Sequence, residues 1–217
     1  MTQTAPVRAP EPPAFAPLAH SGFRWLWPAV VVSYVGIWSQ TVGAQWLLVN
    51  GPHANVTVAL IQTAVMLPMM LFSLPAGVLA DRYDKRKILL ATQTVSLVLA
   101  LVLGVIVASG VVQLWMVIAL AGSLGISTAF DSPSRQSFFL EMVGPDKVAN
   151  ALTLNSVTMT VGRLFGPAIA GFVIAKWDLS VCFLSNGFSY IAAIIALLLI
   201  RPSELVPVPR AVRGKGQ

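Results

Sequence analysis

A cluster of charged side chains interrupts the apolar part of this sequence. The chain of 217 residues contains 14 basic and 8 acidic residues, yet six of the seven residues from Asp81 to Lys87 are charged. A carboxylate can accept hydrogen bonds from the free N–H groups of a helix N-terminus or pair with an arginine. Gly77, four residues before Asp81, allows a second backbone to come close. The cluster therefore has the chemistry of a contact that holds helices together. The alternative is a loop whose basic residues set the membrane orientation and whose acids are incidental.

Arg163 is the second chemically unusual residue, because it stands inside a long apolar stretch. A cation near the centre of a bilayer costs at least about 2.5 to 3.5 kcal/mol on insertion scales, so Arg163 is expected to face a cavity or a partner. The alternative is a structural role, with the guanidinium bonded to carbonyl or hydroxyl groups. Asn155 and Met159 precede Arg163 at intervals of four residues and are expected to share its helix face.

A stripe of polar and aromatic residues occurs near the start of the apolar region. Tyr34, Trp38, Thr41 and Gln45 follow one another at intervals of four, three and four residues, which places them on one helix face. In lipid such a face is expected to turn inward, where it could form a cavity wall for amphipathic or aromatic solutes. Hydrogen bonding between helices, without ligand contact, explains the stripe equally well.

A third polar face combines Ser123, Ser127 and Asp131, which recur every four residues. Asp131 and Arg135 are predicted to lie where a fourth helix meets a cytosolic loop, which favours a role in gating or in bracing that loop. The predicted substrate cavity thus comprises Tyr34, Trp38, Thr41, Gln45, Ser123, Ser127, Asn155, Met159 and Arg163.

Other kinds of chemistry find no support in the sequence. His20 and His53 are far apart, the single cysteine lies in an apolar run, and no phosphate-binding loop of the form GxxxxGK[ST] is present. We therefore expect no catalytic residue, no metal and no cofactor. The net charge of +6 could suggest nucleic acid, but the basic residues follow the loops of a membrane protein, so no nucleic-acid partner is expected.

The composition indicates that the lipid bilayer surrounds this chain. Hydrophobic residues make up 56% and charged residues 10%, whereas soluble domains contain about 25% charged residues. A helix needs about 20 apolar residues to cross a bilayer, and lipid offers the backbone no hydrogen-bond partners. The sequence predicts an all-α membrane protein with six spans, at Trp25 to Val49, Thr57 to Ala80, Ile88 to Ser109, Val112 to Phe130, Ala151 to Ala175 and Leu179 to Ile200.

The distribution of basic residues predicts the orientation. Of the 14 basic residues, twelve lie in the two tails and in the loops at residues 81–87 and 131–150, whereas the loops of the other side carry only Lys176. The positive-inside rule therefore places both termini in the cytosol. We expect a disordered cytosolic tail at residues 1–21, a six-helix bundle at residues 22–200, and a cytosolic tail or the start of a linker at residues 201–217.

The charged cluster resembles the loop signature of the major facilitator superfamily, G-x-L-A-D-R-x-G-R-[RK]-x-x-[LI], which lies between the second and third helices of that family. Asp84 stands where the general form has glycine. The stretches FDSPSRQSFFLEMV and NALTLNSVTMTVGRLFGPAIAG resemble the exporters that include the enterobactin exporter and related drug:proton antiporters. The residues that match the loop signature are Gly77, Leu79, Ala80, Asp81, Arg82, Arg86 and Leu89.

A glycine pattern in the fifth predicted helix resembles the antiporter signature G-x-x-x-G-P-x-x-G-G. It consists of Gly162, Gly166, Pro167 and Gly171, with a single final glycine one residue late. Glycines four residues apart allow helices to approach closely, and proline permits a kink. Ordinary packing of small residues is an equally good explanation of this pattern.

The resemblance implies one half of a twelve-helix transporter, with its six helices forming a 3+3 inverted repeat. It implies export of small amphipathic molecules, drug-like or siderophore-like, by a proton-coupled antiporter in the plasma (inner) membrane. If proton coupling occurs, its carboxylate is Asp131 or lies outside this chain. The resemblance points to a cytosolic latch in the charged cluster, and the predicted position of Asp131 and Arg135 adds them to it. The residues predicted for this latch or gate are Gly77, Asp81, Arg82, Arg86, Asp131 and Arg135.

The resemblance also implies partners. Besides the bilayer and a small-molecule substrate, we expect a separate C-terminal six-helix half or, as an alternative, a second copy of this chain. A function of a different class remains open, namely a membrane scaffold or assembly protein that transports nothing, or an inactive fragment.

Overall fold

Six long helices make up the protein in a computed structural model that describes residues 13–49, 54–200 and 205. No strand occurs in these described ranges. A short 3-10 helix, Ala16–Ala19, precedes the long ones. The long helices are α1 (Ser21–Val49), α2 (Ala54–Arg82), α3 (Lys85–Ala108), α4 (Leu114–Val143), α5 (Pro145–Lys176) and α6 (Leu179–Leu199).

Five of these helices, α2 to α6, are long and apolar enough to cross a membrane. Helix α1 spans 29 residues but is not among them. It carries two glutamines at positions 40 and 45 together with three serines and one threonine. The chain is thus a multi-pass membrane protein of helices only, within the part that the structure describes.

The segment between α4 and α5 differs from the sequence prediction. A cytosolic loop was predicted at residues 131–150, but α4 continues to Val143 and α5 begins at Pro145. Gly144 alone separates them, with a φ of 77° that favours glycine, and Pro145 occupies the first turn of α5, where a missing N–H costs nothing. Pro133 lies inside α4 without ending it. The prediction of a loop here was therefore wrong.

The N-terminal segment from Pro13 onward also departs from the expected disordered tail. Pro17 of the 3-10 helix is buried, and Asn150 Nδ2 of α5 donates to the Pro13 carbonyl at 3.1 Å. His20 Nε2 lies 3.1 Å from Lys147 Nζ. Burial and the nearby Lys147 charge both lower the pKa of His20, which favours the neutral ring as acceptor. The predicted tails at residues 1–12 and 201–217, Leu205 excepted, lie outside the described residues.

The helices pack in a definite set of pairs. The extensive interfaces are α1 with α5, α1 with α6, α2 with α4, α3 with α4, and α3 with α6. One apolar core, which includes Phe23, Phe138 and Leu197, fills the end of the bundle where α1 begins. A second core, which includes Leu103 and Phe183, fills the opposite end. Polar side chains are thereby concentrated between the two cores.

One close approach between helices escaped the sequence analysis. Gly125 of α4 lies against the backbone of Val65 in α2, so that a Cβ at this position would overlap the Val65 carbonyl oxygen. Gly122, one turn earlier, is less crowded, because the nearest atom to an added Cβ is the Ala64 carbonyl oxygen at 3.5 Å. The α2–α4 interface therefore depends on a glycine that belongs to no recognised pattern.

Candidate functional site

A cavity of about 190 Å³ opens among α1, α2, α3, α4 and α6. Most of its lining is apolar, with side chains such as Ile61, Leu103 and Leu124. No charged side chain lines it within the described part of the chain. Its polar lining residues are Gln40, Thr41, Gln45, Gln62, Thr128 and Asn186.

A hydrogen bond between α1 and α6 fixes part of the cavity wall. Asn186 Nδ2 donates to Gln40 Oε1 at 2.5 Å, and both residues are buried. Ser189 Oγ donates to the Asn186 carbonyl at 2.7 Å. Neither Gln40 nor Asn186 was singled out from the sequence, although two amides in apolar helices are a signal for an interhelical hydrogen bond.

The polar stripe on α1 contacts two different surroundings. Thr41 and Gln45 line the cavity, whereas Tyr34 and Trp38 pack against α5. A Cβ on Gly162 would come within 2.9 Å of the Tyr34 backbone. The four residues share a helix face, but α5 covers the first half of that face and leaves the second half to the cavity.

The glycine pattern on α5 is the surface that α1 packs against. A Cβ on Gly166 would overlap Trp38 Cβ, and Ser39 Oγ donates to the Gly166 carbonyl at 2.9 Å. An added Cβ at Gly171, by contrast, would meet nothing within 4 Å. Pro167 lies inside the continuous helix α5. Gly162 and Gly166 thus set the spacing between α1 and α5, and Gly171 takes no part in it.

Arg163 stacks on the aromatic stripe. Its guanidinium carbon lies 5.1 Å from the centre of the Trp38 ring, within range of a cation–π interaction. Among the described residues the structure gives Arg163 no ion pair and no hydrogen bond, and the residue is exposed on α5. Asn155 and Met159 lie on the same helix, with Asn155 Nδ2 4.0 Å from Met159 Sδ, and neither lines the cavity.

Asp131 and Arg135 form a buried ion pair inside α4, not at the boundary between a helix and a loop. Arg135 Nη2 and Nε donate to Asp131 Oδ2 at 2.7 and 3.0 Å, and Arg135 is only 8% exposed. Asp131 Oδ1 accepts from Gln93 Nε2 at 2.7 Å and from Thr92 Oγ1 at 3.1 Å. The carboxylate therefore joins α4 to α3, and its predicted position at the cytosolic end of the helix was wrong because the helix continues for twelve residues beyond it.

The serines that share this face of α4 do not line the cavity. Ser127 Oγ lies 3.0 Å from Ser96 Oγ and donates to the Thr92 carbonyl at 3.0 Å, so it belongs to the α3–α4 contact. Ser123 Oγ donates to the Ala119 carbonyl one turn earlier in its own helix. The polar residues of α3 were missed in the sequence, although Thr92 and Ser96 are spaced four apart.

The charged cluster after α2 makes three contacts inside the bundle. Asp84 caps α3, accepting from the backbone N–H of Arg86 at 3.0 Å and of Lys87 at 3.4 Å. Arg86 Nε and Nη2 donate to the carbonyls of Leu197 and Leu198, at 2.8 and 2.9 Å. Lys85 Nζ lies 2.6 Å from Glu141 Oε1 of α4.

Three other signature residues, Gly77, Asp81 and Arg82, have no such contacts. Asp81 and Arg82 are exposed at the end of α2 and form no ion pair with any described residue. An added Cβ on Gly77 would meet nothing within 4 Å. The cluster thus divides into a group that fastens α3, α4 and α6 together and a group that stays free on the surface.

Replacing Arg86 with glutamine should lower the unfolding temperature of the protein in detergent. Cations stabilise helix C-termini, here that of α6, by about 1 kcal/mol in partly buried geometry. Lys87→Gln is the matched control, because Lys87 is exposed and contributes only its backbone N–H. Scanning fluorimetry of the two variants checks the assignment, and equal unfolding temperatures would contradict it.

Comparisons with known proteins identify the wider group. Residues 12–210 match the family described as transmembrane secretion effector. The chain is 26% identical over 176 residues to the staphyloferrin A transporter of Staphylococcus aureus, which covers 81% of this chain and 44% of that protein. It is 23% identical over 139 residues to macrolide efflux protein A of Enterococcus faecalis, covering 64% of this chain and 43% of that protein. No solved structure matches the chain.

The chain spans less than half the length of these curated relatives. The family and the relatives are transporters, not enzymes. Because the family match covers nearly the whole chain and the described part is a bundle of membrane helices, the chain belongs to the transmembrane secretion effector family of the major facilitator superfamily.

Proposed function

We propose that this chain forms the N-terminal half of an exporter for small amphipathic molecules. The observation that carries the proposal is the cavity of about 190 Å³, whose wall combines apolar side chains with neutral amides and hydroxyls. Such a wall suits a solute that is mostly apolar and carries a few hydrogen-bonding groups. Relatives named for staphyloferrin A transport and for macrolide efflux support this class of substrate.

The proposed architecture is a 3+3 inverted repeat in which all six helices cross the membrane. In such a repeat α1 corresponds to α4, α2 to α5, and α3 to α6. The α1–α5 interface then corresponds to the α4–α2 interface, and the α1–α6 interface to the α4–α3 interface. All four of these interfaces are extensive, and the α3–α6 interface maps onto itself. This correspondence supports two equivalent three-helix units, and the packing of α1 beside α5 and α6 supports its crossing of the bilayer.

We place the protein in the cell membrane with both chain termini in the cytosol, following the excess of basic residues on that side. The free residues Asp81 and Arg82, with the open surface at Gly77, are the proposed latch toward a second six-helix half. That half is a separate segment or chain, or a second copy of this one. Proton coupling is proposed to involve Asp131, which lies deeper inside its helix than any other described acid, or a carboxylate of the second half.

The efflux rate in cells tests the cavity. We expect Thr41→Val to slow efflux of a fluorescent amphiphile such as ethidium several-fold, because a hydrogen bond to the solute contributes about 1 kcal/mol. Thr63→Val is the control: its hydroxyl bonds the carbonyl four residues earlier at 2.9 Å, as that of Thr41 does at 2.8 Å, but Thr63 does not line the cavity.

The chain is expressed with a six-helix C-terminal half, and also alone, in cells that lack their own efflux pumps. Efflux slowed by Thr41→Val and unchanged by Thr63→Val supports the proposal. Absence of efflux in every pairing would overturn it and favour a membrane scaffold.

A further inference from the structure

The charge of Arg163 has no counterpart in the described part of the chain. Arg163 follows Pro145, the first residue of α5, by 18 residues and precedes Lys176, the last, by 13. At about 1.5 Å per residue, it lies about 27 Å from one end of the helix and about 20 Å from the other. This depth is beyond easy reach of the lipid headgroups, and an ionised side chain at such depth is expected to face a cavity or to pair with another polar or charged group.

The Trp38 ring holds Arg163 without neutralising it. A cation over an aromatic face is attracted by the ring, but its N–H groups stay available for an anion in the plane of the guanidinium. Gly162 and Gly166 flank Arg163 in the sequence and pack against Tyr34 and Trp38, so the helix that carries the cation is held closely against the ring. The packing of α5 against α1 therefore fixes the position of the Arg163 guanidinium.

The aromatic ring beneath Arg163 lies on α1 beside a residue that lines the cavity. Trp38 and Thr41 are three residues apart on α1, which makes them neighbours on the helix surface at about 5 to 6 Å between Cβ atoms. Thr41 lines the cavity, and Trp38 carries Arg163. The ring beneath Arg163 and a residue of the cavity wall thus occupy neighbouring positions on one face of α1.

We infer that the substrate is an amphipathic anion, whose carboxylate or similar acidic group binds Arg163 while its apolar part occupies the cavity. This inference rests on the proposed function, which it makes more specific. A carboxylate matches the planar guanidinium with two parallel hydrogen bonds, and the low dielectric of the membrane interior strengthens the pairing. The neutral cavity wall places no competing charge near an acidic ligand.

A matched series of ligands tests the charge requirement. The probes are 11-(dansylamino)undecanoic acid, its primary amide and its methyl ester, which differ only in the terminal group. Binding to the 217-residue chain in nanodiscs of phosphatidylcholine is measured by energy transfer from tryptophan to dansyl, with empty nanodiscs subtracted. We expect the acid to bind about tenfold or more tightly than the amide, because a charge-assisted bond replaces a neutral one.

Variants assign the preference to Arg163. Arg163→Gln should bring the acid and the amide to equal affinity without weakening the amide, and Arg163→Lys should keep part of the preference. Arg24→Gln is the control, because Arg24 is an exposed arginine near the start of α1 and lies far from the cavity in the sequence. A preference that is absent in the wild type, or unchanged in Arg163→Gln, would overturn the inference. Equal loss of all three ligands together with a lower unfolding temperature would also overturn it, in favour of a structural role.

Two further measurements separate the alternatives. If a lipid phosphate is the true partner of Arg163, anionic phosphatidylglycerol in the nanodisc abolishes the preference for the acid. If a protein carboxylate is the true partner, a second six-helix half abolishes it. Either result would contradict a ligand anion. Efflux of the same dansyl series separates this inference from the proposed function. If the chain binds the acid preferentially but no efflux occurs, the proposed export is refuted and the anion site is not. If the amide and the ester are exported and the acid is not preferred, the anion site is refuted and the proposed export is not.

Discussion

Replacing Asp131 with alanine should destabilise the folded bundle by about 3 to 5 kcal/mol, the cost of leaving one partner of a buried ion pair alone. Asp131 is the only described ion-pair partner of Arg135, which is 8% exposed inside α4. The substitution also removes the acceptor of Gln93 and Thr92, so that the α3–α4 contact loses two further hydrogen bonds. Titration with dodecyl sulfate in mixed micelles measures the free energy of unfolding.

A second, more exposed ion pair and a double variant give this prediction its controls. Glu141→Gln removes the partner of Lys85 in a pair near the end of α4, whose side chains are 16% and 22% exposed against 10% and 17% for Arg135 and Asp131, so the loss should be smaller than for Asp131→Ala. Asp131→Leu combined with Arg135→Met replaces the pair with apolar groups and should recover the part of the loss that comes from the unpaired arginine, whereas the hydrogen bonds of Gln93 and Thr92 stay lost. Similar losses for Asp131→Ala and Glu141→Gln would show that the buried pair is not a major contributor.

The apolar runs predicted the helices well because lipid allows few alternatives for the backbone. The last helix was predicted at Leu179 to Ile200 and is found at Leu179–Leu199. The end of α4 was not predictable in the same way, because a polar stretch with Pro133 is typical of a loop. Its polar groups are satisfied by Thr92 and Gln93, residues that lie 38 and 39 positions away in the chain. Only the tertiary structure brings these partners together.

The loop signature as a whole predicted the superfamily, whereas no single residue in it could have done so. The expected membership in the major facilitator superfamily is confirmed by the match over residues 12–210. The roles of the individual signature residues became visible only in the three-dimensional structure. Asp84, a departure from the signature, is the N-cap of α3, and Arg86 binds carbonyls of α6 that lie 111 and 112 positions away. Composition and spacing contain no information about either contact.

The glycine pattern on α5 shows how a sequence signature can mix essential and dispensable positions. The sequence assigned Gly162, Gly166 and Gly171 to one motif, with Gly171 one residue late. In the structure a Cβ on Gly166 would overlap Trp38 Cβ and lie 3.1 Å from the Val35 carbonyl oxygen and 3.2 Å from the Ser39 backbone nitrogen. Three separate contacts, two of them with backbone, leave α1 no local adjustment that would accommodate a methyl group.

Gly166→Ala should therefore destabilise the protein by about 2 to 3 kcal/mol, at the upper end of the cost of overpacking, because α1 must move as a unit away from α5. Gly171→Ala is the matched control on the same helix, since its Cβ would meet nothing within 4 Å and alanine is the better helix former. The displacement of α1 should also lengthen the Ser39 to Gly166 hydrogen bond and move Trp38 from beneath Arg163. Unfolding free energies in mixed micelles measure the first effect, and the emission of Trp38, isolated by replacing the other tryptophans with phenylalanine, measures the second. If Gly166→Ala and Gly171→Ala have the same stability, the α1–α5 interface tolerates a methyl group and the glycines do not set the distance between these helices.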